Sequence, residues 1–113
     1  RLPKGLHVGT LDLSINELRT LDLDTVAELR WLSSLDLSLN HITSLESFGV
    51  KRLPQLRKLV IASNGIASLQ GLEVQSSLTH LDLSYNRLTH LEGVAALKDL
   101  RVLAVQANDL ATV

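Results

Sequence analysis

The 113-residue chain is predicted to form an α/β solenoid, with a parallel β-sheet on its concave face and short helical turns or loops on its convex face. Three observations predict it. Asn16, Asn40, Asn64, Asn86 and Asn108 recur at intervals of 24, 24, 22 and 22 residues, a period typical of stacked structural repeats. The positions eight, five and three residues before each Asn, and two and five after it, are aliphatic in all 25 cases. Within that frame, the residues five and three before the Asn alternate with the period of two that turns side chains to one face of a strand.

The repeats follow one another along the chain as Val8, Leu11, Leu13, Leu18, Leu21; Leu32, Leu35, Leu37, Ile42, Leu45; Leu56, Leu59, Ile61, Ile66, Leu69; Leu78, Leu81, Leu83, Leu88, Leu91; and Leu100, Leu103, Val105, Leu110, Val113. The second and third residues of each set mark a short strand. One such strand cannot bury its own leucines, but repeats stacked at roughly 4.8 Å per strand bury them in a continuous core. Three residues beyond the strand the chain must turn away from the sheet, leaving backbone groups that need partners. An Asn side chain both donates and accepts there, so the five asparagines are expected to form a structural ladder. None of the five begins an N-x-Ser/Thr sequon. The whole of 1–113 is read as one leucine-rich domain with 27 leucines, and as a piece of a longer protein, because no polar cap for the terminal repeats is recognisable.

The pattern L-x-x-L-x-L-x-x-N-x-L-x-x-L resembles the leucine-rich-repeat family over essentially the whole length. The last two intervals, with Leu91-Glu92-Gly93-Val94 and Leu97 spaced for short turns, are similar to the 22-residue class of a Ser/Thr phosphatase regulatory subunit and of axonemal and centrosomal scaffolds. The first two intervals resemble the 24-residue class, with Val26 and Val50 where that class usually has Phe. The chain thus looks like a hybrid of the two. Gln75 stands where the short class has an aliphatic residue, which predicts disturbed packing behind that repeat. Extracellular members commonly carry Cys-rich end caps, and this chain has no cysteine, although Leu2-Pro3-Lys4-Gly5-Leu6 is reminiscent of the leading segment of secreted members. The expected location is cytoplasmic, with association to the cytoskeleton as one alternative and an extracellular site as another.

A net charge of −1 and a sequence pI near 6.5 argue against a nucleic-acid footprint, which would need a basic stripe. No run approaches 18 apolar residues, and no charged-then-apolar leader opens the chain, so no membrane partner is expected; nor is a small-molecule substrate. The histidines His7, His41, His80 and His90 show no metal-site spacing, and Gly65, Gly71 and Gly93 fall in turns and form no phosphate loop. Asp12, Asp36 and Asp82 would align on the concave face as a row of carboxylates, yet Val60 and Ala104 interrupt it. No catalytic residue, metal or cofactor is assigned.

If recurring residues hold the core, the outward residues that vary are where recognition can be written. On the concave face these are Thr10, Asp12, Ser34, Asp36, Arg57, Lys58, Val60, His80, Asp82, Arg101, Val102 and Ala104, with the apolar Ile15, Leu39 and Tyr85 beside the asparagines. Asp36, Arg57, Lys58, Val60, His80, Asp82, Tyr85 and Arg101 are the expected partner-binding residues, because aromatic and Arg side chains are enriched at protein interfaces. Trp31 and Phe48 are expected to pack on the convex side. The functional expectation is a non-catalytic scaffold that binds another protein through its concave face. Three alternatives stand beside it: a cytoskeletal or ciliary scaffold subunit, a receptor ectodomain fragment, and the targeting arm of an enzyme whose catalytic domain lies elsewhere.

Overall fold

The computed structural model describes residues 9–19, 31–45 and 53–110. Its five strands, β1 (Thr10–Asp12), β2 (Ser34–Asp36), β3 (Lys58–Val60), β4 (His80–Asp82) and β5 (Val102–Ala104), lie in chain order in one parallel sheet. Register is uniform, with Leu11, Leu35, Leu59, Leu81 and Leu103 directly opposite one another. The ladder continues beyond each strand: Leu37 N–H donates to the Val60 carbonyl and Leu39 N–H to that of Ala62, a pattern repeated at every junction. The parallel solenoid expected from the L-x-L steps is therefore present.

The frame leucines line its interior. In the three central repeats, Leu35, Leu59 and Leu81 are buried to 2 %, 0 % and 1 % exposure. In the first and last, Leu11, Leu13, Leu103 and Val105 are half-buried and pack against that core from either end. Frame residues Val8, Leu21 and Val113, together with His7, Val26, Phe48, Val50 and the Leu2–Leu6 segment, lie outside the described residues.

The asparagines bind the turns together as expected. Asn64 Nδ2 lies 3.0 Å from the Leu37 carbonyl of the preceding repeat and 3.2 Å from those of Ile61 and Ala62 in its own. Its Oδ1 accepts from Ile42 N–H at 3.0 Å, while Gly65 N–H donates back to the Ile42 carbonyl at 2.9 Å. Ile42 thereby has both backbone groups satisfied by the next repeat, and the same exchange recurs at Leu18, Ile66 and Leu88. Among the described residues no buried side-chain nitrogen or oxygen lacks a hydrogen bond.

On the connecting side, single 3₁₀ turns occupy Leu72–Val74 and Val94–Ala96. Gly71 and Gly93 open them at φ of 100° and 97°, a left-handed conformation that glycine adopts without a Cβ clash. Gln75 overturns the expectation of disturbed packing. It is wholly buried, in the slot that Leu53 and Leu97 fill 22 residues to either side, and its Oε1 accepts the Leu53 N–H at 2.9 Å. The amide is accommodated because the neighbouring repeat presents a backbone donor to it. Nearby, Ser77 Oγ donates to the Leu56 carbonyl at 2.6 Å.

Candidate protein-binding face

Uniform register sorts the outward residues into parallel rows. On the leading flank, one residue ahead of each strand, stand Gly9, Ser33, Arg57, Thr79 and Arg101. Here the Arg57 carbonyl accepts two consecutive N–H groups of the next repeat, from Thr79 at 2.8 Å and His80 at 3.0 Å. The first strand position carries Thr10, Ser34, Lys58, His80 and Val102, and the third carries Asp12, Asp36, Val60, Asp82 and Ala104. Past the strands, beside the asparagines, lies a rim of Ile15, Leu39, Ser63, Tyr85 and Ala107.

The expected partner-binding residues are divided among these rows. Arg57 and Arg101 belong to the leading flank, Lys58 and His80 to the first strand row, Asp36, Val60 and Asp82 to the third, and Tyr85 to the opposite rim. Arg57, Lys58, His80, Tyr85 and Arg101 are exposed, whereas Asp36, Val60 and Asp82 are partly buried. The face is thus basic where the chain approaches the strands, acidic where it leaves them, and apolar at the rim.

The acidic row has a local structural use. Oδ1 of Asp36 accepts Ser38 N–H at 2.9 Å and that of Asp82 accepts Ser84 N–H at 3.0 Å, the side-chain-to-backbone turn that Asp favours. Asp12 does the same with Ser14 and also accepts the Ser14 hydroxyl. The Ser14 hydroxyl and then its N–H hold the Asp12 carboxyl below its ordinary pKa, outweighing the small opposing effect of desolvation. Among the described residues no group of three or more His, Asp or Glu side chains converges as a metal site would require.

Sequence reasoning missed the backbone of the rim. Ile15, Leu39, Ser63, Tyr85 and Ala107 all adopt left-handed φ, between 56° and 60°. For residues other than Gly and Asn this costs on the order of 1–2 kcal/mol each, and a β-branched Ile is the least suited. In the first four repeats stacking supports the conformation, whereas Ala107 adopts it with no described repeat to follow. The N–H groups of Ile15, Leu39, Ser63 and Tyr85 each donate to a carbonyl of the following repeat at 2.9–3.0 Å. The side chains are left in solvent, Ile15 at 76 % exposure, Leu39 at 53 % and Tyr85 at 56 %. Tyr85 Oη is also approached by Gln106 Nε2 at 3.4 Å. None of these five residue types favours left-handed backbone, so their identities carried no signal.

Trp31, one residue ahead of Leu32 and three ahead of β2, is 46 % exposed. An open groove lies on the leading flank over the last three repeats, lined by Pro54, Arg57, Ser76, Ser77, Thr79, Lys98, Asp99, Leu100 and Arg101. Of its residues only Arg57 and Arg101 were expected at a binding site.

The chain matches the leucine rich repeat family over residues 7–66 and 54–110, and it belongs to that family. No curated protein matches it in sequence. It is similar in structure to internalin C2 of Listeria monocytogenes, at 28 % identity and a TM-score of 0.77, covering 94 % of this chain and 45 % of that one. A leucine-rich-repeat protein of Leptospira interrogans is similar at 29 % identity and a TM-score of 0.80, over 93 % of this chain and 27 % of the other. The functional domain of InlJ from Listeria monocytogenes, which includes a cysteine ladder, is similar at 29 % identity and a TM-score of 0.70, over 94 % and 22 %. The chain therefore spans less than half the length of each of these proteins.

Proposed function

We propose that the chain is a non-catalytic module that binds a partner protein over the outward rows of its sheet and the adjoining rim. The leucine-rich-repeat fold is in general a protein-interaction scaffold. The observation that carries the reading to this face is the rim, where Ile15, Leu39 and Tyr85 hold large apolar side chains in water beside a strand surface of mixed charge. Neighbouring exposed apolar groups on a rigid support suit a partner's surface. The non-catalytic reading is supported by the turn-forming use of Asp12, Asp36 and Asp82, which leaves the carboxylate row a local structural role. Cytoplasmic placement belongs to the same proposal. It rests on the lack of any cysteine for disulfide-bonded caps, and recovery of the protein in a surface or secreted fraction would overturn it.

The test is affinity capture with the wild type and with Leu39→Asn, Tyr85→Ala and Lys58→Glu, read beside melting curves followed by circular dichroism. Captured partners should be lost while stability stays within about 0.5 kcal/mol for the exposed-strand change. Retention of every partner by all three variants, with loss in Trp31→Ala, would move the interface off the sheet and rim.

A further inference from the structure

We infer that the leading-flank groove is a docking site for an acidic peptide segment of the partner. The inference rests on the protein-binding reading above and adds to it the chemistry of what is bound. Arg57 of the third repeat and Lys98 and Arg101 of the fifth line this groove, against a single carboxylate, Asp99. All four side chains are exposed. Among the described residues none of the three cations is paired with a carboxylate, and Arg57 reaches only the Pro54 carbonyl, at 3.3 Å through one of its five N–H donors.

The cations are concentrated here although the chain as a whole carries a formal charge of −1. Their backbones are rigidly placed, because Arg57, Thr79 and Arg101 follow one another through hydrogen bonds of 2.8 Å. Two strand spacings separate Arg57 from Arg101, roughly 10 Å. That matches the distance between side chains three residues apart in a polyproline II peptide, about 9 Å at three residues per turn and 3.1 Å per residue, which also sets both on one face. Each guanidinium can then receive one carboxylate in a two-pronged hydrogen bond, with the Lys98 ammonium adding a mobile charge at the Arg101 end. Ser76, partly exposed in the same groove, adds a neutral hydroxyl. Thr79 Oγ1 and Ser77 Oγ are already bonded, to the Arg57 and Leu56 carbonyls. The segment recognised is therefore in the polyproline II conformation, with Glu or Asp at positions i and i+3.

The probe is a fluorescein-labelled decapeptide with Glu at i and i+3 in a Gly/Ser background, titrated with the chain and followed by anisotropy at two salt concentrations. Comparison peptides carry Gln at both positions, or Glu at i and i+1. The Glu i,i+3 peptide should bind most tightly and weaken as salt rises. Arg57→Gln combined with Arg101→Gln should weaken it about tenfold or more, while Arg19→Gln combined with Arg87→Gln, an equal charge change on exposed residues away from the groove, should leave it unchanged. Equal binding of the Gln peptide, equal loss in both double variants, or stronger competition by a DNA duplex would each overturn the inference. If the peptide fails but partner capture still depends on Leu39 and Tyr85, this inference falls and the protein-binding reading stands. Loss of that dependence would instead remove the reading on which it rests.

Discussion

The central and terminal repeats carry the same frame with different consequences. Leu81, between two neighbours, is 1 % exposed; Leu103, at the same frame position one repeat later, is half-buried. Asn86 is buried, with Nδ2 2.9 Å from carbonyls in its own repeat and the one before. Asn16 is exposed and, among the described residues, reaches only Leu13 and Ser14 of its own turn, at 2.8 and 3.1 Å. Burial in a solenoid is supplied by neighbours, so the contribution of a residue depends on its place in the stack as well as on its place in the motif.

That contrast is broken most severely by truncating core leucines. Leu81→Ala should destabilise by about 3–5 kcal/mol, because a filled site leaves a cavity. Leu103→Ala should cost about 1–2 kcal/mol, since part of its surface already meets water. Equal shifts in denaturant midpoint for the two variants would contradict the neighbour argument. Removing ladder amides comes next. Asn86→Ala leaves buried carbonyls and the Ile66 N–H short of partners and should cost roughly 1–3 kcal/mol. Asn16→Ala, in reach of water, should fall below about 1 kcal/mol. Urea titrations read both, and a larger loss at Asn16 would reverse the expected order.

The smallest effect concerns a feature common to both regions. Because the left-handed φ is the same in every repeat, Ile15→Asn at the end and Ser63→Asn in the middle should each stabilise, by a few tenths to about 1 kcal/mol. If the rim binds a partner, Ile15→Asn should at the same time weaken capture, which separates the strain from its use. A fall in melting temperature in both variants would show that the rim backbone is not strained in these sequences.

Much of the fold was legible before any coordinates. Two-residue alternation at Leu35/Leu37 or Leu81/Leu83 specifies strands, and a near-constant interval between asparagines specifies their stacking, because one period repeated along a chain has one way to bury all its leucines. The candidate face was legible only in part. Arg57, Lys58, His80, Tyr85 and Arg101 do stand exposed on the outward surface, but on separate rows of it.

Sequence by itself determined the frame, the five parallel strands and the asparagine ladder, all of which follow from spacing and residue type. Tertiary structure alone decided the rest. It set the left-handed rim, which the types of Ile15, Leu39 and Tyr85 do not favour and where their N–H groups donate to carbonyls of the next repeat. It turned Gln75 from a misfit into a partner for Leu53, because the buried donor lies 22 residues away in sequence. It also opened a groove across three repeats in which Lys98, outside the expected site, joins Arg57 and Arg101. In each case the deciding contact joins different repeats, and a contact between repeats is fixed by how they stack, which short-range preferences do not encode.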